Sequence, residues 1–255
     1  MRNTTLLAAA AATTVFATAA SAQVTLLSED FETDGNGTRY TTSVAEFSDG
    51  SNDYFLRTDG SDINAGIEFT NTTGFYFAAQ DIDGEVASSR QTLTFSGIDV
   101  TGFDTLTLSI DVAEDDDGTA QDWDADDLVH ASFVINGTAP TSYETGYAIW
   151  FDNDGSEFNS APFLNYDFDA DGGDSPEDSE VTSAFTTFSR VLGFNGADGS
   201  TIVDLVITFD LDSGDEDIAI DNILLTGNAS TIPEPATAGL GLLGLAGLAA
   251  RRRRA

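Results

Sequence analysis

Residues 104–114 read "DTLTLSIDVAE". Leu106, Leu108, Ile110 and Val112 occupy alternate positions, and Thr105, Thr107, Ser109 and Asp111 stand between them. A period of two places all four apolar side chains on one face of an extended strand and the polar ones on the other, whereas a helix would scatter them around its axis. The stretch is therefore a strand with one face buried. "TIVDLVITFDLD" (201–212) repeats the pattern with Val203, Leu205, Ile207, Phe209 and Leu211.

Working outward, eight more stretches read as strands. They are "VTLLSEDFE" (24–32), "DYFLRTD" (53–59), "FYFAAQD" (75–81), "QTLTFSGI" (91–98), "LVHASFVING" (128–137), "GYAIWFD" (146–152), "AFTTFSRVLGF" (184–194) and "DIAIDNILLTG" (217–227). Gly, Asp-Gly and Asn-Gly interrupt the chain too often for long helices, and they are the residues tight turns favour. No fixed repeat length demands a solenoid. The pattern predicts an all-β fold, an antiparallel β-sandwich of jelly-roll type, in a single domain over residues 23–228.

The chain holds 44 Asp+Glu against 9 Lys+Arg, a formal net charge of -35. All nine basic residues are arginines, and Arg2 and Arg251 to Arg254 sit at the extreme ends. The body is left with Arg39, Arg57, Arg90 and Arg190. Such a field repels phosphate backbones, which excludes nucleic acid as a direct partner, and it attracts hard cations. Disorder is excluded as well, because 18 Phe and a hydrophobic fraction of 41% supply a core that disordered chains lack. With no cysteine, disulfides cannot staple the fold, and core burial and bound metal are left to do so.

The first 22 residues read as a signal peptide: Arg2, an apolar stretch from Leu6 to Ala20, and a small-x-small site at Ala20-Ser21-Ala22 with cleavage after Ala22. At the other end, over residues 229–255, Pro233-Glu234-Pro235 precedes an uncharged Ala/Gly/Leu run from Ala236 to Ala250, and then Arg251, Arg252, Arg253 and Arg254. As a helix the run spans roughly 22 Å, short of a hydrocarbon core of roughly 30 Å, but a following basic cluster holds a short span in the membrane with the arginines in the cytoplasm. The three-part order resembles the PEP-CTERM sorting signal of Gram-negative bacteria. The departure is Ile232 where valine is usual. The resemblance implies a transient inner-membrane anchor, an exosortase-type processing enzyme as partner, and delivery of the body to the cell surface or extracellular matrix. A permanent single-span anchor is the alternative.

"SEDFETDG" (28–35) and "IAIDNILLTG" (218–227) resemble the opening and closing strands of calcium-binding jelly rolls, including MAM-like modules, although the cysteines of true MAM domains are missing. The "FETDGNGTRYTTS" text also resembles ancillary modules of secreted bacterial proteins. The resemblance implies that these strands lie side by side, with Glu32 and Asp221 together at a structural cation; two ordinary surface carboxylates are the bland alternative.

A second calcium candidate is "DFDADGGDSPED" (167–178), where Asp167, Asp169, Asp171 and Asp178 recur around a glycine bend. Alternating aspartates let several carboxylates converge on the six to eight oxygens calcium takes. Asp174, Pro176 and the final Asp depart from the EF-hand pattern, so the expectation is an isolated loop site or a solvated acidic loop. "EDDDG" (114–118) and "DWDADD" (122–127) form a weaker pair of acidic clusters, with Trp123 expected at the rim of one site.

Catalytic signals are sparse. His130 is the sole imidazole and reads as a packed or surface residue, and there is no nucleophile elbow or phosphate-binding loop. The chain is expected not to be an enzyme. A secreted glycoside hydrolase needs only two carboxylates and stands as the remote alternative. Trp123, Trp150, Tyr143 and Tyr147 are the candidate rings for stacking on sugars. The functional expectation is a calcium-supported surface or matrix protein that binds extracellular polysaccharide or another matrix component, with a purely structural or adhesive protein as the alternative.

Overall fold

The computed structural model describes residues 23–229, apart from residues 65, 68, 116–122, 124–126, 139–146, 153–162, 165–178 and 194–200. The expected signal peptide with its expected cleavage site at Ala20 and Ala22, Pro233-Glu234-Pro235, the apolar run and the four terminal arginines lie outside the described residues, as do Tyr143, Asp167, Asp169, Asp171 and Asp178. Among the described residues no helix is long and apolar enough to cross a membrane.

Two seven-stranded antiparallel sheets make up the body. The first contains β1 (Gln23–Glu29), β3 (Phe47–Ser48), β4 (Tyr54–Thr58), β5 (Tyr76–Gln80), β7 (Phe103–Ala113), β12 (Thr186–Gly193) and β14 (Ile218–Ala229). Its order is β12-β7-β14-β5-β4-β3, with β1 also paired to β14. The second contains β2 (Thr41–Thr42), β6 (Arg90–Asp99), β8 (Leu128–Ile135), β9 (Tyr147–Asp152), β10 (Phe163–Leu164), β11 (Ser179–Glu180) and β13 (Ile202–Asp210). Its order is β11-β10-β9-β8-β13-β6-β2. The four-residue helix α1 (Ile82–Glu85) follows β5.

The alternation that predicts the strands also fixes which faces meet. Leu106, Leu108, Ile110 and Val112 of β7 are buried, as are Val203, Leu205, Ile207 and Phe209 of β13, and both sets belong to one core between the sheets. Each such side chain contributes about 1.5–3 kcal/mol on leaving water. Aromatic rings bind the two sheets at the heart of this core. Phe77 of β5 packs on Phe55 of β4 at a centroid distance of 4.9 Å and on Phe209 of β13, in the opposite sheet, at 5.9 Å. Tyr40 and Phe31, from the segment after β1, close the group against Phe77 at 6.3 and 5.9 Å.

Trp123 corrects one expectation. It is fully buried in this core, so the only tryptophan whose side chain is described stabilises the sandwich and offers no face to a sugar. Tyr147 and Trp150 are strand residues of β9, and only their backbone is described. His130 is 9% exposed, which makes it a packed histidine.

Candidate metal centre

β1 and β14 pair in antiparallel register from Gln23–Asn228 to Glu29–Ile223, so the opening and closing strands do lie side by side. Two of the body's four arginines hold the turn that follows β1. Arg39 grips the Glu29 carboxylate through Nε at 2.6 Å and Nη2 at 2.9 Å, and donates to the Thr33 carbonyl. Arg57 donates to the Phe31 carbonyl and, at 3.0 Å, to the Glu32 carbonyl, while its guanidinium lies over the Phe75 ring. Glu29, whose side chain is 1% exposed, also accepts the Phe31 N–H at 2.9 Å. These bonds keep Phe31 at a positive φ of 52°, a conformation a bulky residue holds only when its surroundings over-determine it. Phe31 then points into the core.

Asp30 and Glu32 flank it on a polar cavity of about 280 Å³, where Asp111 of β7 and Asp221 and Asn222 of β14 also lie. Glu32 accepts the Phe75 N–H at 3.4 Å, and its carboxylate covers Gly74, where any Cβ would collide with it. Asp111 and Asp221 face each other directly across β7 and β14. Like charges in that arrangement repel. Asn222, at φ 47° beside a register shift in the β7–β14 ladder, moderates this by donating Nδ2 to Asp111 at 2.9 Å and to Asp221 at 3.3 Å. Asp221 is 7% exposed. Burial pushes its carboxyl up to about 7; the Asn222 N–H pulls the other way, and the charges of Asp111, Glu32 and Asp30 push it further up. Among the described residues, no arginine lines the cavity. Four carboxylates, amide and hydroxyl oxygens, and no nitrogen or sulfur ligand of the softer kind make a donor set suited to a hard divalent cation. The predicted juxtaposition of Glu32 and Asp221 is thus present, and the structure adds Asp30 and Asp111.

A second acidic group includes two residues that come just before the start of β14 in the chain. Carboxylate oxygens of Asp127, Asp212 and Glu216 fall within 4.8 Å of one another. Glu216 is 1% exposed and Asp127 is 2% exposed. Glu216 Oε2 accepts the N–H groups of Asp212 at 2.6 Å and Ser213 at 2.8 Å. Burial pushes the Glu216 carboxyl up to about 7, against its bonds to Asp127 and to the two backbone N–H groups. Asp127 closes the predicted 122–127 cluster. Asp212 and Glu216 escape a sequence reading that treats 201–212 as strand, although five acids in the eight residues "DLDSGDED" (210–217) are a usable signal.

These features define a two-sheet antiparallel β-sandwich with carboxylates gathered at its framing strands. Residues 231–254 match the PEP-CTERM protein-sorting motif. The chain therefore carries the signal for export and membrane-anchored sorting in Gram-negative bacteria, with processing by an exosortase. No curated protein matches the chain. Among solved structures, the CBM22-1 xylan-binding domain from Paenibacillus barcinonensis is similar at 10% identity and a TM-score of 0.41, over 84% of this chain and 100% of that one. A carbohydrate-binding module that recognises mannan is similar at 12% identity and a TM-score of 0.37, over 82% and 100%. The K1 cleaved adhesin domain of Lys-gingipain from Porphyromonas gingivalis W83 is similar at 16% identity and a TM-score of 0.38, over 80% and 98%.

Proposed function

We propose that the protein is a cell-surface or matrix β-sandwich that binds extracellular polysaccharide, with calcium held between its framing strands by Asp30, Glu32, Asp111 and Asp221. The sorting motif at residues 231–254 carries this reading, because it directs the body outside the cytoplasm, where calcium reaches millimolar levels and polysaccharide is abundant. Calcium there replaces the repulsion between Asp111 and Asp221 with a shared attraction and fastens the first strand to the last. Histidine-based catalysis is disfavoured because the sole imidazole, His130, is packed away and held neutral, its pKa lowered to about 4 chiefly by burial. An open hollow of about 630 Å³ beside β3 and β4 brings Phe47 together with Ser48, Asp49, Arg57 and Asp62, a ring and hydroxyl-binding groups of the kind sugars use.

The test is a panel of bacterial exopolysaccharides and plant glycans presented to the full chain, with calcium and with chelator. Retention of at least one polysaccharide is expected in calcium, weakened at least tenfold by Phe47→Ala. Blanks across the panel would overturn the polysaccharide reading and leave a structural or adhesive role.

A further inference from the structure

The cavity at the framing strands measures about 280 Å³, whereas an ion with its ligand oxygens at about 2.3–2.6 Å claims a sphere of roughly 50–75 Å³. Asp221 is 7% exposed, while Asp30 and Glu32 are exposed, so the floor lies at β14 and the mouth at the turn after β1. Beyond the four acids and Asn222, the wall consists of Asn71, Thr72, Thr73 and Phe185. Two backbone bonds hold this wall together: the Thr70 N–H donates to the Ser183 carbonyl at 2.6 Å, and the Phe185 N–H to the Thr70 carbonyl at 2.9 Å. The Phe185 ring packs on Phe69 and Tyr76 at centroid distances of 6.2 and 5.6 Å, which fixes it in place. It is nevertheless only half-buried and keeps part of its surface on the cavity.

Calcium takes about six to eight oxygens, so one oxygen from each of Asp30, Glu32, Asp111 and Asp221 leaves roughly two to four positions for other ligands. Two adjacent hydroxyls on a sugar ring supply oxygens of the right kind and spacing for one ion. The C–H face of such a ring is apolar and gains by lying on an aromatic side chain. Asn71, Thr72 and Thr73 carry amide and hydroxyl groups that donate to and accept from the hydroxyls left over. Four carboxylates around one divalent ion leave about two negative charges uncompensated, which repels a uronate and favours a neutral sugar.

We propose, on the reading that calcium sits between the framing strands, that this cavity is a sugar subsite: two adjacent hydroxyls of a neutral polysaccharide unit complete the ion's ligand set, and the ring lies on Phe185. The subsite adjoins the hollow at Phe47. Arg57 lines that hollow and donates to the Glu32 carbonyl at 3.0 Å, so the two sites share one stretch of surface and a single polysaccharide chain reaches both.

Calorimetry on the full chain tests it, first with calcium alone and then with calcium in the presence of neutral six-unit oligosaccharides of mannose, xylose or glucose. Coupling through a shared ion is reciprocal, so at least one oligosaccharide should tighten calcium about tenfold and lose affinity by about the same factor in chelator. Phe185→Ala should keep the calcium stoichiometry and weaken that oligosaccharide about tenfold. Phe185→Leu keeps apolar packing against Tyr76, removes the flat ring, and decides the matter if the alanine variant fails to fold by circular dichroism. Hexagalacturonate should bind more weakly than the neutral probe, and equal or tighter binding would overturn the choice of a neutral sugar. Calcium affinity unchanged by every oligosaccharide overturns the proposal and leaves the calcium reading standing. So does oligosaccharide binding that survives chelator or the loss of the Phe185 ring at full strength. A chain that takes up no calcium overturns the calcium reading itself, and the subsite with it.

Discussion

Replacing Phe77 with alanine should destabilise the folded body by about 3–5 kcal/mol. The ring is fully buried and touches Phe31, Tyr40, Phe55 and Phe209, so its loss opens a cavity walled by both sheets and by the turn after β1. Those partners are themselves held in place, Phe31 through the Arg39–Glu29 pair, which limits how far the site can collapse. With no cysteine in the chain, no disulfide limits the damage. A loss of that size is a large part of the roughly 5–15 kcal/mol that holds a domain folded. Urea unfolding in calcium measures it, with Val191→Ala as the control. Val191 is 66% exposed and its truncation should fall within about 0.5 kcal/mol. Equal losses at the two positions would contradict the packing described here.

The second large effect concerns pH. In chelator, stability should fall as pH rises from about 4 to about 7. Asp221 and Glu216 are both held at about 7 in the folded body, mainly by burial, while in the unfolded chain they titrate near ordinary carboxyl values. The folded state thus keeps protons that the unfolded state has released, and the stability present below the unfolded pKa is lost as pH climbs through the folded one. Each carboxyl contributes on the order of 3–4 kcal/mol to that loss by pH 7. Asp81, raised to about 6 by burial and by Asp53, adds in the same direction. His130, lowered to about 4, acts oppositely, favouring the folded state as pH rises between 4 and its ordinary 6.5. Among the described residues, these three raised carboxyls outweigh the one depressed imidazole. Calcium bound as proposed should take the place of the protons and flatten the slope, and Asp221→Asn should remove one carboxyl's share of it in chelator. Thermal melts across pH 4–7 follow both, and a slope of opposite sign in chelator would refute the carboxylate assignment.

The long strands were legible because each carries its own period. Leu106 to Val112 and Val203 to Phe209 need no tertiary information to declare a buried face. The two-residue strands β2, β3, β10 and β11 are too short to alternate, and their pairing is set by neighbours distant in sequence. In the framing-strand centre, Glu32 and Asp221 were recognisable from the text of the first and last strands. Asp111 was not, although it sat in plain view on the polar face of β7, because its position opposite Asp221 depends on a register shift in the β7–β14 ladder that no local pattern encodes. Asp30 joins the cavity only because Phe31 takes a positive φ and turns inward. Trp123 misled for the converse reason. Acids on both sides of it suggest an exposed rim, yet a single large indole gains more from entering the core than its short flanking sequence reveals.

On the proposed reading, divalent ions gathered among particular carboxylates hold the dense negative charge of this sandwich in check. The most direct test is the melting midpoint of the full chain at pH 7 in millimolar calcium and in chelator, at matched ionic strength. Binding to the folded form alone must raise the midpoint by linkage, and the rise should shrink in Asp221→Asn. Identical midpoints in calcium and chelator would contradict the account.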